Sequence, residues 1–166
     1  MAADHTGSMR SGDVRQLEEL GKMLREAGLL EVPDVTALPV SLAMGKPATA
    51  SGMWHDNVGY GPAEAVDGNL LTRWSGPEGA RAGWLEVDLG KDTTVSRVII
   101  KEGWDRTGKF AVQYKAGDEW KDAAEGTTIG EKRELKFSPV KARVFRLNVT
   151  EAADTPTIWE FELFSE

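Results

Sequence analysis

The chain has 166 residues, which is enough for one domain of ordinary size with a short extension, and 40% of them are apolar and can fill a core. A formal net charge of −7 argues against nucleic acid or an anionic membrane surface as the main partner, and no apolar run of about 18 residues predicts a membrane span. The lack of cysteine excludes disulfides and thiol catalysis, and only two histidines disfavour a histidine-rich zinc site.

The first 41 residues predict a tail, a helix and a linker. Residues 1–12 lack the apolar segment of a secretory signal, so we expect a disordered tail or cloning remnant. Residues 13–28 predict an amphipathic helix with Asp13 as N-cap, Gly28 just beyond its end, and an apolar stripe of Val14, Leu17, Leu20, Met23 and Leu24. Because one such helix is marginal in water, the stripe must pack on the following domain or on a missing neighbour. Residues 29–41 contain prolines and predict a linker.

Residues 42–166 predict an all-β domain, because the hydrophobic period changes to two. Glycine-rich turns separate six candidate strands, which are Val87–Leu89, Arg97–Ile100, Phe110–Tyr114, Glu134–Phe137, Val144–Val149 and Ile158–Phe164. This pattern is typical of an antiparallel β-sandwich or jelly roll.

The segment Ala65–Trp74 reads A-V-D-G-N-L-L-T-R-W and concentrates oxygen donors around a glycine turn. Asp67, Asn69 and Thr72 supply carboxylate, amide and hydroxyl groups on a sharply turning backbone, which is what a calcium ion requires. The alternative is a D-G-N turn held by side-chain hydrogen bonds to its own backbone, without a metal.

From about Leu42 to Phe164 the chain resembles a discoidin domain, also called a coagulation factor V/VIII type C domain, whose sugar-binding relatives form carbohydrate-binding module family 32. Four motifs carry the resemblance in order: G-K-P-A-T-A-S at 45–51, the turn at 65–74, W-L-E-V-D-L-G at 84–90 and I-W-E-F-E-L-F at 158–164. The resemblance implies a galactose-binding-domain-like jelly roll. It also implies a structural Ca²⁺, whose ligands would be Asp67, Thr72, Glu160 and backbone carbonyls near Ala65 and Asn69.

A narrower resemblance is to the C-terminal domain of bacterial α-L-fucosidases of glycoside hydrolase family 29. It rests on K-E-G-W-D-R-T-G-K-F at 101–110, G-T-T-I-G at 126–130 and P-T-I-W-E-F-E-L-F at 156–164, while residues 13–26 resemble the helix that leaves the catalytic barrel. It implies that catalysis belongs to a separate domain and that the parent protein is secreted or periplasmic. The acidic pairs Glu18/Glu19 and Glu160/Glu162 have no evident opposing partner, so this chain is not expected to be an enzyme.

Two loops are candidates for a sugar site, which needs an aromatic platform and planar hydrogen-bonding groups. They read W-H-D-N-V-G-Y at 54–60 and W-D-R-T at 104–107, and the candidate binding residues are Trp54, His55, Asn57, Trp104 and Arg106. The other tryptophans are expected to pack in the fold; they are Trp74, Trp84, Trp120 and Trp159.

The leading hypothesis is a non-catalytic, calcium-stabilised carbohydrate-binding module of a fucosidase-type glycoside hydrolase, with glycans ending in fucose or galactose as partners. The alternative is a structural domain that braces a glycosidase catalytic barrel and binds no sugar. Exposed rings of Trp54 and Trp104 in one shallow groove would favour the first hypothesis. Protein or phospholipid recognition, as in eukaryotic discoidin domains, is disfavoured because the loop at 54–60 is polar.

Overall fold

The computed structural model describes residues 19–24, 26–27 and 39–165, and divides the chain into two units, residues 1–38 and 39–166. In the first unit, residues 19–24 and 26 are helical, and the side chains of Leu20 and Met23 are exposed. The predicted tail and the stripe residues Val14 and Leu17 lie outside the described residues. Within the described part of the chain, no helix is long and apolar enough to cross a membrane.

The second unit is built from antiparallel strands. Their bounds are β1 Ala48–Ala50, β2 Trp74–Ser75, β3 Gly83–Glu102, β4 Thr107–Ala116, β5 Glu119–Gly126, β6 Arg133–Ala152 and β7 Thr157–Phe164. The strand order is β2-β7-β3-β6-β4-β5, and β1 pairs with β3. The prediction of an antiparallel β-sandwich is confirmed. Strand β5 was absent from the candidate strands, because none of its eight residues is fully buried and its sequence lacks an apolar face.

Strand β3 has different neighbours along its length. The first part of β3 pairs with β1 and β6, and its last part pairs with β7 and the start of β6. The register of β3 shifts between Asp88 and Thr93, where Gly90 has φ of 82°, a left-handed conformation that glycine adopts without steric cost. The predicted strands Val87–Leu89 and Arg97–Ile100 are therefore two parts of one strand.

Alternating apolar residues of the long strands form the core. In β6, Phe145, Leu147 and Val149 are fully buried, as the period of two predicts. Trp74 is also fully buried, and its indole Nε1 donates a 2.9 Å hydrogen bond to the carbonyl of Gly52. The prediction that Trp74 packs in the fold is therefore confirmed.

A bulge in β7 sets the position of Trp159. Lys101 pairs with Glu160 but the next residue, Glu102, pairs with Ile158, so Trp159 has no partner across the ladder. Such a bulge bends the strand and re-aims the extra side chain. Trp159 is accordingly half-buried at the strand's surface, although Ile158 beside it is fully buried.

Candidate functional site

A cleft of about 240 Å³ lies at one end of the sandwich and is called the aromatic cleft below. Its lining residues are Trp54, Tyr60, Arg73, Ser75, Trp104, Arg106 and Thr157. They come from the long β1–β2 connection, from strand β2 and the residue before it, from the β3–β4 turn and from the start of β7. The structure therefore brings together the predicted residues Trp54, Trp104 and Arg106, which lie up to 52 positions apart in the chain.

The β3–β4 turn presents Trp104 to solvent. Trp104 and Asp105 have φ of 70° and 48°, a left-handed conformation that non-glycine residues rarely adopt. Glu102, only 4% exposed, closes the turn, since its Oε1 accepts hydrogen bonds from the backbone N–H of Arg106 (3.1 Å) and from the N–H and Oγ1 of Thr107 (2.7 and 2.6 Å). The turn leaves the indole of Trp104 61% exposed. Backbone strain of this kind costs about 1–3 kcal/mol per residue and clusters at ligand sites.

Trp159 supports the Trp104 ring. The two ring centres are 6.2 Å apart with the planes tilted by 41°, a favourable aromatic geometry. The residue before Trp104 has to be glycine for this contact, because a Cβ on Gly103 would lie 2.6 Å from Nε1 of Trp159. Trp159 was expected to pack in the fold, and the structure places it instead as a half-buried support beside the cleft.

Arg73 occupies the space between three aromatic rings. Its Cζ atom lies 4.8 Å from the ring centre of Tyr60, 5.2 Å from that of Trp104 and 5.1 Å from that of Trp159. Each distance is within the range of a cation–π interaction. The Nε atom of Arg73 is buried and has no hydrogen-bond partner among the described residues. Arg73 thus brings a positive charge and unused donors to the cleft.

Arg106 has several protein partners. Its guanidinium lies 4.8 Å from the Trp104 ring centre, donates to the carbonyl of Thr155 (3.2 Å) and to Oγ1 of Thr157 (3.5 Å), and pairs with the carboxylate of Asp154 at 3.4 Å. These contacts fix the guanidinium beside the Trp104 ring. Arg106 therefore acts both as a wall of the cleft and as a link between the β3–β4 turn and the segment before β7.

The polar candidates of the first loop lie next to the cleft. The ring of His55 stacks on Trp54 with centres 4.9 Å apart and planes 7° apart, and its Nε2 is hydrogen-bonded to the carboxylate of Glu78 at 2.9 Å. The side-chain oxygen of Asn57 accepts a 3.0 Å bond from the N–H of Gly59 and caps a short 3₁₀ turn. Neither His55 nor Asn57 lines the cleft, so both hold the loop that positions Trp54.

Sequence reasoning missed four residues that line the cleft, which are Tyr60, Arg73, Ser75 and Thr157, and also the supporting residue Trp159. Tyr60 lies within the predicted loop at 54–60 and could have been chosen as a further aromatic residue. The sequence also pointed to Arg73. Side chains alternate between the two faces of an extended chain, so the residue before Trp74, which was expected in the core, should face outward. The position of Trp159 had no sequence signal, because it depends on the bulge in β7.

The Ala65–Trp74 segment forms a turn with an internal hydrogen-bond network. The two carboxylate oxygens of Asp67 accept bonds from the N–H of Asn69 (2.8 Å) and from Oγ1 of Thr72 (2.7 Å). Oγ1 of Thr72 also lies 2.7 Å from the carbonyl oxygen of Asn69. Asp67, Asn69 and Thr72 therefore meet around one point, as both the calcium interpretation and the metal-free alternative require.

Glu160 of β7 approaches this turn. It is 2% exposed, and its Oε1 has no hydrogen-bond partner among the described residues. Burial, followed by the negative charges of Asp67 and Glu162, raises the pKa of Glu160 to about 7. A buried, unpaired carboxylate oxygen beside a second carboxylate fits the donor set of a hard cation. In the described ranges, no three or more acidic, histidine or cysteine side chains are placed to hold one metal ion together, so hydroxyl and carbonyl oxygens would have to complete the coordination.

Comparison with known proteins links the chain to fucosidases and to carbohydrate-binding modules. The rice (Oryza sativa subsp. japonica) protein named "Putative alpha-L-fucosidase 1" is 26% identical over 113 residues, which cover 66% of this chain and 22% of that protein. A family 29 fucosidase of Ruminococcus gnavus, solved with fucose, is 25% identical with a TM-score of 0.70, covering 99% of this chain and 32% of that enzyme. The chain thus spans a third or less of each of these relatives.

A free-standing module shows the same fold. Chitosan-binding module 2 of a chitosanase/glucanase from Paenibacillus sp. IK-5, solved in complex with chitotriose, is 27% identical with a TM-score of 0.68, covering 75% of this chain and 99% of that module. The family model for the F5/8 type C domain matches residues 47–162. This chain is therefore similar to carbohydrate-binding modules and is related to fucosidase domains. It belongs to the F5/8 type C, or discoidin, domain family.

Proposed function

We propose that this domain is a non-catalytic carbohydrate-binding module of a fucosidase-type glycoside hydrolase and that the aromatic cleft binds its glycan. The observation that carries the proposal is the exposed indole of Trp104, held in a strained turn with the guanidinium groups of Arg73 and Arg106 5.2 and 4.8 Å from its ring centre. An exposed indole offers a platform for the apolar face of a sugar ring. The guanidinium groups offer fixed donors for its hydroxyl oxygens.

The relatives support a saccharide as the ligand class. One was solved with fucose and another with chitotriose, and the chain covers only 32% of the fucosidase. A catalytic domain outside this sequence would perform hydrolysis, and this domain would keep the enzyme near its glycan. Glycans ending in fucose or galactose are the first candidates, and a secreted or periplasmic parent protein fits that task.

Hydrolysis by this domain itself is not part of the proposal. Glycosidases generally need two carboxyl groups on either side of the bond that is cleaved. The seven described residues that line the aromatic cleft include no carboxylate. The cleft can therefore hold a sugar but supplies neither the general acid nor the nucleophile.

Titration calorimetry and a glycan array with the wild-type domain and Trp104→Ala test the proposal. We expect the substitution to weaken binding at least tenfold, because it removes the aromatic platform. Trp120→Ala is a matched control, since Trp120 lies on β5 beneath Arg146 and outside the cleft. No binding by the wild type at millimolar glycan, or equal binding by wild type and Trp104→Ala, would refute the proposal.

We also propose a structural Ca²⁺ at the Ala65–Trp74 turn. Its ligands would be the side chains of Asp67, Thr72 and Glu160, together with the carbonyl groups of Ala65 and Asn69. The support is the unpaired Oε1 of Glu160 beside Asp67. The ion would neutralise the two carboxylates and hold the turn against β7. Addition of calcium should raise the melting temperature and EDTA should lower it, whereas an unchanged melt would contradict the ion.

A brace for a catalytic domain is the second candidate function, because the same turn exposes two adjacent leucines. Leu70 and Leu71 are 56% and 86% exposed, which suits an apolar contact with another protein surface. Under this alternative, the parent's catalytic domain should bind wild type in a pull-down but not Leu70→Ser/Leu71→Ser. Retention by the double variant would remove the support for a brace at this turn.

A further inference from the structure

We infer that the aromatic cleft selects sugars that carry a negative charge, either the carboxylate of a uronic acid or a sulfate ester. The inference rests on the proposed function, because it specifies which sugar the same cleft takes. It starts from a contrast in charge. The chain as a whole has a net charge of −7, yet the described lining of the cleft contains two guanidinium groups and no carboxylate.

The two arginines are not equivalent. Arg106 pairs with Asp154, a carboxylate that Arg81 shares, and donates to Thr155 and Thr157. Arg73 has neither an ion pair nor a hydrogen bond with any residue that the structure describes. Its contacts are the faces of three aromatic rings, which attract a cation but do not accept directed hydrogen bonds from all of its N–H groups.

Three carboxylates near the cleft have partners other than Arg73, although Oε2 of buried Glu102 has no hydrogen-bond partner among the described residues. Glu78 binds His55, Asp154 is shared by Arg81 and Arg106, and Oε1 of Glu102 accepts three hydrogen bonds within the β3–β4 turn. None of these groups is paired with Arg73. The positive charge of Arg73 is therefore available to a ligand.

The chemistry of the guanidinium group identifies the ligand class. A partly desolvated guanidinium binds a planar carboxylate or a sulfate more strongly than a neutral hydroxyl, because the hydrogen bonds are charge-assisted and two can form in parallel. A sugar ring on Trp104 would lie beside Arg73, since the guanidinium is 5.2 Å from that ring centre. The volume of about 240 Å³ is below the range of drug-sized pockets, so we expect one charged sugar residue to be held.

Matched ligands test this inference on the intact domain by titration calorimetry. The first pair is trigalacturonate and its fully methyl-esterified form, which differ in charge and in the added methyl groups. The second pair is a galactose oligosaccharide with and without a sulfate ester. We expect the charged member of at least one pair to bind ten or more times as tightly as its neutral partner, and that preference to shrink between 50 and 300 mM NaCl. The pair that responds identifies carboxylate or sulfate as the recognised group.

Variants locate the effect at one side chain. Arg73→Met keeps an apolar contact with the rings but removes the charge, and should abolish the preference for the charged sugar. Arg146→Met is the matched control, because Arg146 stacks on Trp120 away from the cleft. Melting curves report whether either variant is folded. The wild-type comparisons within the two ligand pairs need no variant and decide by themselves whether the cleft prefers a charged sugar.

The outcomes separate the two proposals. Equal or tighter binding of the neutral sugars would overturn the charge preference and leave the carbohydrate-binding function standing. A preference that survives in Arg73→Met would also overturn the inference, because another group would then carry the charge. No binding of any sugar, charged or neutral, would overturn both.

Discussion

The guanidinium of Arg73 lies 5.2 Å from the centre of the exposed Trp104 ring, although the two residues belong to different loops of the domain. The contact joins the end of the Ala65–Trp74 turn to the β3–β4 turn. The proposed metal turn and the proposed sugar site are therefore neighbours along the chain and connected in space. Changes that loosen either turn should therefore affect the cleft.

Gly103→Ala should destabilise the domain and weaken glycan binding. The added Cβ would lie 2.6 Å from Nε1 of Trp159, so the indole that supports Trp104 has to move. Overpacking of this kind costs about 1–3 kcal/mol, measurable by urea unfolding. Gly108→Ala is the control, because its nearest neighbour atom would be 3.5 Å away, an ordinary contact. Equal free energies of unfolding for the wild type and Gly103→Ala would contradict this account of Trp159.

Glu102→Ala should destabilise the domain more than Glu102→Gln does. Oε1 of Glu102 accepts three hydrogen bonds from Arg106 and Thr107, and truncation would leave those buried donors without an acceptor. We expect a loss of about 3 kcal/mol for alanine and about 1 kcal/mol for glutamine, whose amide oxygen can still accept. Because the turn carries Trp104, the alanine variant should also bind glycan less tightly. Equal free energies of unfolding for the two variants would argue against the role of Glu102 in closing the β3–β4 turn.

Asp67→Asn should have opposite effects with and without calcium. At pH 8 and without the ion, where Glu160 is ionised, the substitution relieves the repulsion between Asp67 and Glu160, so the melting temperature in EDTA should rise by about 2–4 °C. With calcium the variant should melt below the wild type, because a charged ligand is missing. Asp118→Asn, in the exposed turn between β4 and β5, is the control and should leave both melting temperatures unchanged. A variant that responds to calcium as strongly as the wild type would exclude Asp67 as a ligand.

The stability of the calcium-free domain and its affinity for calcium should both depend on pH through Glu160. Burial and the Asp67 carboxylate raise the pKa of Glu160 to about 7, above its ordinary value of 4.5. The folded state therefore favours the protonated acid. In EDTA this stabilisation is fully present below about pH 4.5 and is lost as the pH rises to 7. Asp88 affects stability in a lower pH range. The hydrogen bonds that it accepts from Arg143 lower its pKa to about 2, so its contribution to stability is lost only below about pH 4.

Calcium reverses that pH dependence, because the ion requires the ionised carboxylate and releases its proton. Between pH 5 and 7 the affinity should rise about tenfold per pH unit and then level off. Calorimetry at pH 5, 6, 7 and 8 measures this slope, and Glu160→Gln should remove it. A wild-type calcium affinity that does not change with pH would show that Glu160 releases no proton when calcium binds.

The sequence predicted most of the sandwich and part of the cleft. Alternation of apolar residues in segments such as Val144–Val149 identified the strands, because one face of each strand must be buried. The chemistry of two loops pointed to Trp54, Trp104 and Arg106, since few other segments combine aromatic and planar polar groups. Whether these residues bind sugar stays a prediction, as does the calcium ion.

By itself the sequence determined the β-rich domain, its turns and the oxygen-rich segment around Asp67, because each depends on residues that are close along the chain. Only the tertiary structure decided that Arg73 lies between three aromatic rings and that Glu160 approaches Asp67. These contacts depend on the left-handed turn at Trp104, on the bulge at Trp159 and on strand register. Such features join residues that are distant along the chain, so local patterns do not reveal them.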